Sequence, residues 1–475
     1  MKIEKGRHRI SPPAMCGLAV GVALFFGFRA APASIASFQH IVLIVQENRT
    51  PDNLFHELCA PPFGSAATCS TTPGPGQYDI QTANWLDKTS STGVTQPAPA
   101  SVISLFDLGH AHANFQAMCD PNSAGTCQMD GAGTNTCIGI CPPKPEYQYV
   151  ANTTGVLNPY LTLATQFGWA NYMFQTNQGG SFPAHEILFG GTSAPSAADD
   201  AAGIFVTNNA INDQAGCAAV ANTMVQLLYP TGATEQIYPC FEHSTVSDVL
   251  PISWKYYSVG ANWIWTAPNA IQHICQSTGP GGQCTGAQWA QNVDLNPADV
   301  LRDITSCNLA SMVWVTPTPP NSDHPLWSFG GGPAWVASIF NAIANSCGYW
   351  QNTAILITWD DWGGWYDHEP PTILPQPQGD YQYGFRVPFI FVSAYTPVQY
   401  IDNTRHDFGS ILRFIENNFG IQEGVLNFAD ARSSDDLSGF YNLSAPPRAA
   451  SSVKAPLSAQ YFLNQKTPSE PPDTD

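Results

Sequence analysis

Residues 353–368 read TAILITWDDWGGWYDH, and they join an apolar segment to a group of acidic side chains. The first seven, Thr353 to Trp359, are aliphatic, aromatic or β-branched, which predicts a strand buried on both faces. Asp360 and Asp361 follow it directly. Because ligands of open α/β sheets bind beyond the carboxyl ends of the strands, this acidic pair is a candidate functional element.

Other parts of the chain repeat this pattern of short apolar runs. Buried strands are predicted at 40–46 (HIVLIVQ), 311–316 (SMVWVT) and 387–393 (VPFIFVS). Helical periodicity is found at Val336, Ile339, Phe340 and Ile343, and again from Phe408 to Phe419, where Gly420 ends the helix. Alternating strands and helices predict an α/β fold with a mostly parallel central sheet and helices on both faces.

Composition limits the classes of function. The chain has 475 residues, of which 44% are hydrophobic and 11% charged, so it can bury a large core. Its 17 basic and 36 acidic residues give a net charge of −19. That balance argues against a nucleic-acid partner and against a polybasic membrane-surface protein. The 40 prolines and 39 glycines predict many long loops.

Residues 1–36 have the character of a secretory signal. Basic residues precede an apolar run at 14–28, and small residues follow it. This order predicts a signal peptide cleaved near Ala33 or Ala36. The apolar run is short for a membrane span, although a retained anchor is the alternative. We expect a secreted or periplasmic protein without a stable membrane anchor.

Cysteine usage agrees with export. Of the 13 cysteines only Cys16 lies in the signal segment, which leaves an even number. The densest group spans 119–141 and lacks the paired short spacings of a zinc site, so disulfides are the expected use. The sequence leaves their pairing open.

Polar oxygen ligands follow two of the predicted strands. Glu47 and Asn48 come directly after the strand at 40–46, as Asp360 and Asp361 do after theirs. A lone aspartate in such a place is more often a turn former or a helix cap. Two clusters beyond neighbouring strands would concentrate negative charge unless a cation lay among them. Hard oxygen ligands of this kind suit a divalent ion.

A second motif is QTNQGGSFPAH at 175–185. Gly179 and Gly180 permit a tight turn, and Ser181 precedes a proline suited to the first turn of a helix. Alone, Ser181 would be read as a helix cap. With a metal nearby to lower the pKa of its hydroxyl, it becomes a candidate nucleophile.

These motifs together resemble the bacterial phospholipase C and acid phosphatase family of secreted phosphoesterases, within the alkaline phosphatase superfamily. The resemblance includes HIVLIVQENRTPDNLF, QGGSFPAH and ITWDDWGGWYDHEPP, followed by YGFRVPFIFVS, HDFGSILRFIENNFG and ADARSSDDLSGFY. It implies an alkaline-phosphatase-like three-layer sandwich with long disulfide-braced loops. It also implies a phosphoesterase catalytic domain at 37–465, followed by a polar tail at 466–475.

The resemblance assigns roles by position. Glu47, Asn48, Asp360 and Asp361 would bind one divalent ion, which stays open among calcium, manganese, magnesium and zinc. Ser181 would be the nucleophile that becomes phosphorylated.

Histidines complete the expected site. His324 would neighbour the phosphate, as a charge stabiliser or as general acid to the leaving group. His185, His368 and His112 are candidate pocket residues, although a histidine in such motifs can also brace a loop. His110 and His112 form an H-x-H pair that could bind a metal if it lay on a strand; the alternatives are that it lines the cleft or has no role.

The expected activity is that of a secreted, metal-dependent phosphoric-ester hydrolase acting through a phosphoserine. Its substrate would be a phospholipid head group or a small phosphomonoester. Two departures, ENRTPD for ENR-S-F-D and Ala-His for Pro-Asn after the serine, leave the leaving group open. One alternative is a sulfatase, whose motif requires arginine where this chain has His185. Another is a catalytically silent binding protein on the same scaffold. The oligomeric state is not indicated.

Overall fold

The apolar run at 40–46 forms a strand in the middle of the main sheet. The structure is a computed structural model that describes Met1 and residues 35–210, 214–374 and 382–466. The predicted signal peptide at 1–36 and the predicted tail at 466–475 lie almost wholly outside the described residues. The predicted domain boundaries therefore stay predictions.

Most strands are short, and the longer ones belong to the main sheet. Their bounds are β1 (His40–Gln46), β2 (Trp85–Leu86), β3 (Val94–Thr95), β4 (Ala98–Ala100), β5 (Phe106–Leu108), β6 (Cys137–Gly139), β7 (Gln148–Val150), β8 (Gly168–Phe174), β9 (Phe205–Val206), β10 (Val225–Leu228), β11 (Thr234–Ile237), β12 (Trp254–Tyr257), β13 (Val293–Asp294), β14 (Met312–Val315), β15 (Thr353–Trp359), β16 (Phe389–Ser393) and β17 (Tyr400–Asp407).

The main sheet has eight strands in the order β13-β12-β14-β1-β15-β16-β8-β17. β1 pairs in parallel with β14 and, over its whole length, with β15. β16 runs antiparallel to both its neighbours, and the other strands of the sheet point the same way. The carboxyl ends of β1, β14, β15 and β8 therefore meet at one edge, which confirms the expected mostly parallel sheet.

The helices cover the sheet in two groups. Their bounds are α1 (Pro51–Leu54), α2 (His112–Cys119), α3 (Asn158–Gln166), α4 (Ser181–Gly190), α5 (Ala197–Ala201), α6 (Val246–Val249), α7 (Gln272–Cys275), α8 (Ala287–Asn292), α9 (Asp299–Thr305), α10 (Gly332–Asn345), α11 (Phe408–Asn418), α12 (Ala429–Arg432) and α13 (Ala459–Leu463). α3, α9, α10 and α13 contact one another, and α4, α6, α11 and α12 form the second group. None of the helices among the described residues is both long and apolar enough to cross a bilayer.

Aromatic and aliphatic side chains fill the layers between sheet and helices. Trp314 of β14 packs edge-on against Phe189 of α4, and its indole N–H donates to the carbonyl of Leu188 over 3.0 Å. Phe391 of β16 packs against Phe414 of α11 in the same way. The contacts of Trp314 fix the position of α4, and so of its first residue, Ser181, relative to the sheet.

Disulfides brace the long loops, as expected. Six join Cys59 to Cys69, Cys119 to Cys127, Cys137 to Cys141, Cys217 to Cys240, Cys275 to Cys284, and Cys307 to Cys347. They involve every cysteine of the sequence apart from Cys16, which lies outside the described residues.

Candidate active site

Five buried polar residues meet at the carboxyl edge of the main sheet. Glu47 and Asn48 follow β1, Asp360 and Asp361 follow β15, and Ser181 begins α4 after β8. All five have 0% of their surface exposed. The full-length parallel register, in which Gln46 pairs with Trp359, brings the residues after β1 and β15 side by side.

The turns after β1 and β15 are bonded to each other. The backbone N–H of Asn48 donates to Asp360 Oδ1 over 3.0 Å, and that of Arg49 donates to the carbonyl of Asp361 over 3.0 Å. Asn48 has a φ of 63°, and Gly363 a φ of 59°. A Cβ on Gly363 would lie 2.4 Å from the Asn48 carbonyl oxygen, so the close approach of the two turns requires glycine.

Ser181 points its hydroxyl at the carboxylates. Its Oγ lies 3.4 Å from Asp361 Oδ2 and 3.5 Å from Glu47 Oε2. The N-cap residue of α4 is Gly180, so Ser181 is not itself the cap of its helix. A Cβ on Gly179 would lie 1.7 Å from the Thr207 carbonyl oxygen, so the turn before Ser181 also requires glycine.

The carboxylate cluster fits a bound cation. Glu47, Asp360 and Asp361 are three acidic groups removed from water at one place, a costly arrangement without a counter-charge. Asp360 Oδ2 and Asn48 Oδ1 are buried without a hydrogen-bond partner. Unpaired buried oxygen atoms beside carboxylates are the donor set of a divalent metal site.

His185 lies against the same carboxylates. Its Nε2 is 3.1 Å from Glu47 Oε1 and 3.8 Å from Asp360 Oδ2. Burial lowers the pKa of His185 to about 4, although the charge of Asp360 opposes this, so the imidazole is neutral at pH 7. The structure thus places this candidate pocket residue in the carboxylate cluster.

His324 and His110 both contact Asn48. Their Nε2 atoms lie 3.2 and 3.1 Å from Asn48 Nδ2, and their Nδ1 atoms lie 2.7 Å from the Pro325 carbonyl and 2.8 Å from the Leu108 carbonyl. Because a carbonyl only accepts, each Nδ1 carries the proton and each Nε2 accepts from the Asn48 amide. The Asn48 Oδ1 then faces away from the imidazoles.

His110 was assigned no catalytic role from the sequence. The sequence indicates only an H-x-H pair that lines the cleft, binds a metal or has no role. In the structure the two histidines contact different groups, since His112 Nδ1 lies 2.8 Å from the Gln178 carbonyl. The signal that could have found it is its place just after the buried run Phe106–Leu108.

A cavity of about 180 Å³ lies beside the turn that precedes Ser181. Gly180 and His110 form one wall, and amide side chains form much of the rest, contributed by Asn208, Asn209, Gln226 and Gln236. His112 lines a second, smaller cavity of about 30 Å³ with Thr207 and Gln178.

His368 belongs to a different cluster. Its Nδ1 lies 2.8 Å from Asp52 Oδ2 and its Nε2 3.0 Å from Asp79 Oδ1. Arg386 joins the same group, with 2.8 Å to Asp367 and 3.1 Å to Asp79. Burial lowers the pKa of His368, but the neighbouring carboxylates outweigh it and raise the pKa to about 10. These mutually paired charges brace the loops after β1 and β15.

Comparison with known proteins decides the family. The model of the Phosphoesterase family matches residues 38–422, which include all the site residues described above. The chain belongs to the phosphoesterase family. This confirms the resemblance seen in the sequence and, at the level of the family, the expected class of hydrolases acting on phosphoester bonds.

Among curated phosphoesterases, bacterial enzymes named phospholipase C are similar to this chain. Phospholipase C A of Mycobacterium tuberculosis is 22% identical over 89% of this chain and 80% of its own length. The hemolytic phospholipase C of Pseudomonas aeruginosa is 22% identical over 82% of this chain and 54% of its own length. The non-hemolytic phospholipase C of Burkholderia pseudomallei is 26% identical over 41% of this chain. The matched region spans only about a third (35%) of that enzyme's length.

Solved structures give a weaker likeness. An alkaline phosphatase superfamily protein from Vibrio parahaemolyticus is 12% identical over 56% of this phosphoesterase and 61% of its own chain, with a TM-score of 0.30. A score of this size carries no argument about function.

Proposed function

We propose that this protein is a metal-dependent phosphoric-ester hydrolase in which Ser181 is the nucleophile. The observation that carries the proposal is the position of Ser181 Oγ, 3.4 Å from Asp361 Oδ2 and 3.5 Å from Glu47 Oε2. Carboxylates at this distance can take the hydroxyl proton, and the cavity lined by the preceding residue, Gly180, supports a substrate site next to the serine.

The ligands proposed for one divalent ion are Glu47, Asn48, Asp360 and Asp361. The unpartnered Asp360 Oδ2 and Asn48 Oδ1 support this assignment, because both are buried oxygens that an ion would satisfy. When bound, such an ion adds positive charge at the phosphoryl oxygens and lowers the pKa of the serine hydroxyl.

In the proposed reaction Ser181 Oγ attacks phosphorus. The Oγ–P bond forms as the bond to the leaving oxygen breaks, and the serine proton passes to the carboxylate of Asp361. The leaving oxygen must gain a proton to depart as an alcohol. His324 Nε2 is unprotonated while it accepts from Asn48, so it would have to take up a proton before it acts as the acid. Water then attacks the phosphorus and gives its proton to His324, the Oγ–P bond breaks, and the proton on Asp361 returns to Ser181 Oγ. This restores the serine and frees the phosphomonoester that remains of the diester.

For the substrate we propose a phosphodiester in preference to a monoester. With one divalent ion, three carboxylates leave the site at net −1, which repels a dianionic monoester more than a monoanionic diester. The cavity is lined in part by the amide side chains named above, which suit a neutral or zwitterionic head group. The printed names of the relatives, phospholipase C, support the same choice.

We also propose that the protein works outside the cytoplasm. The predicted signal segment supports this, as do the six disulfides, which persist in oxidising compartments.

Release of product from a panel of esters tests the proposal. The purified protein, stripped by chelation and resupplied with one ion at a time, is assayed on phosphatidylcholine, p-nitrophenylphosphorylcholine, p-nitrophenyl phosphate and p-nitrophenyl sulfate. We expect metal-restored cleavage of the diesters, slower cleavage of the monoester and none of the sulfate. Preferred cleavage of the sulfate would establish the sulfatase alternative. No cleavage of any ester with any ion would favour a silent binding protein.

A further inference from the structure

His185 occupies the same face of α4 as the proposed nucleophile. It comes four residues after Ser181, which is one helical turn, so both side chains point towards the carboxyl edge of the sheet. The imidazole is 1% exposed, and it is therefore enclosed in the cluster and not at its rim.

The atoms around His185 are spaced as ligands of one ion would be. One ligand atom each from Glu47, His185 and Asp360 lies within 4.8 Å of the other two. His185 Nε2 is 3.1 Å from Glu47 Oε1 and 3.8 Å from Asp360 Oδ2. Two atoms that each bind one ion at about 2.0–2.2 Å can lie up to about 4.4 Å apart. Both distances from Nε2 meet that condition.

A simple hydrogen bond accounts for less of the site. If Nε2–H only donates to Glu47 Oε1, the 3.8 Å approach of Nε2 to Asp360 Oδ2 has no role. An ion shared by the three atoms accounts for both distances from Nε2. His185 Nδ1 has no hydrogen-bond partner in the structure, and it would carry the ring proton if Nε2 bound the ion.

We infer that His185 is a nitrogen ligand of the ion held by Glu47 and Asp360, and that it selects a zinc-class transition ion over calcium and magnesium. The inference rests on the metal site of the proposed function and adds a ligand to it. Imidazole nitrogen suits zinc, iron and nickel, whereas a site of oxygen atoms alone suits calcium and magnesium.

The matched variant is His185→Gln, because a glutamine amide can still donate a hydrogen bond to Glu47. Wild type and variant are stripped by chelation and titrated calorimetrically with Zn²⁺ and with Ca²⁺. Loss of a nitrogen ligand should lower the preference for Zn²⁺ over Ca²⁺ at least ~10-fold. Loss of an orienting hydrogen bond would instead lower the affinities for Zn²⁺ and Ca²⁺ by a similar factor, on the order of 10–100-fold. That second result would overturn the inference.

Pulsed electron paramagnetic resonance of the Mn²⁺-loaded protein gives a reading that does not depend on affinity. We expect nitrogen modulation in wild type that is lost in His185→Gln and kept in His110→Gln, whose imidazole Nε2 lies 3.1 Å from Asn48 Nδ2. Wild-type protein without nitrogen modulation would overturn the inference even if the variant failed to fold. If wild type bound none of the three ions, the metal site of the proposed function would itself be wrong.

Discussion

The backbone N–H of Asn48 donates to the side chain of Asp360 over 3.0 Å, so the turn after β1 is held by a carboxylate from the turn after β15. Asp360 Oδ1 also accepts from the N–H of Asp361 over 2.7 Å. One oxygen of Asp360 therefore shapes the backbone, and the other, Oδ2, is left for a ligand. A substitution at Asp360 that keeps Oδ1 as an acceptor should therefore change ligand binding without changing the backbone of the two turns.

Replacing Ser181 with alanine tests the nucleophile. We expect turnover to fall by at least ~10³-fold, because binding and electrostatic stabilisation alone would remain. The melting temperature should change little, since Gly180 caps the helix. Ser193→Ala is the control, because that serine is also buried but donates to the Val206 carbonyl over 3.0 Å. Near-normal turnover in Ser181→Ala would mean that water attacks the phosphorus directly.

Asp360→Asn should remove the bound metal while the fold survives. Asparagine keeps an Oδ1 that can accept from Asn48 and Asp361, but it replaces Oδ2 by a donor and deletes a charge. Elemental analysis of the purified protein is the measurement. Asp323→Asn is the control, because that buried carboxylate accepts from Tyr160 and Trp359 and lies outside the cluster. Full metal content in Asp360→Asn would show that Asp360 is not a ligand.

Gly363→Ala should damage both stability and the site. A left-handed φ costs a residue with a Cβ about 1–2 kcal/mol, and here that Cβ would also meet the Asn48 carbonyl oxygen at 2.4 Å. The control is Gly348→Ala, which has a φ of 73° but nothing within 4 Å of the added Cβ. The melting temperature and the metal content should both drop in Gly363→Ala. In the second variant only stability should drop. Equal behaviour of the two would show that the contact between the turns is unimportant.

The pH dependence of stability can be tested at His273, which is not one of the candidate site residues. The hydrogen bond to Asp248 raises the pKa of His273 to about 9, against partial burial, and Glu242 adds to the effect. Since the folded pKa exceeds the unfolded value, this contribution is complete below about pH 6.5 and disappears as the pH rises through 9.

His273→Gln should therefore lower the melting temperature at pH 6 and leave it unchanged at pH 10. The effect should not exceed about 1 kcal/mol, because water screens these partly exposed groups. Equal destabilisation at both pH values would indicate a packing role for the ring. His243→Gln is the comparison. Burial lowers the pKa of His243, so this variant should not show a loss of stability that is confined to low pH.

The sequence predicted the centre of the sheet well and its margins poorly. β1 and β15 have the bounds expected from the apolar runs, since both are buried along nearly their whole length. β17, YIDNTRHD, lies at the edge of the sheet, and its polar, partly exposed side chains carry no strand signal. The strand expected at 387–393 begins only at Phe389, after Pro388, which has no N–H for the ladder. The antiparallel direction of this strand, β16, depends on the path of the connecting loops, which a local sequence pattern does not indicate.

For the site, sequence order was informative only where a residue directly follows a long strand. Glu47, Asn48, Asp360 and Asp361 satisfy that condition, and the structure brings them together with Ser181. His110 follows the three-residue strand β5, which pairs with β6 outside the main sheet. His185 sits in a helix whose orientation is set by packing on Trp314. Contacts between residues so distant in sequence could not be predicted from local patterns.

The disulfides bear on how such a chain could be made. Each joins a cysteine to the next cysteine along the chain, from Cys59 with Cys69 to Cys307 with Cys347, so no bridge crosses or encloses another. A polypeptide threaded amino-terminus first into an oxidising compartment would meet each native partner as the next thiol to emerge. Sequential oxidation would then give the native set directly, and maturation would need little help from an isomerase that reshuffles mispaired bonds.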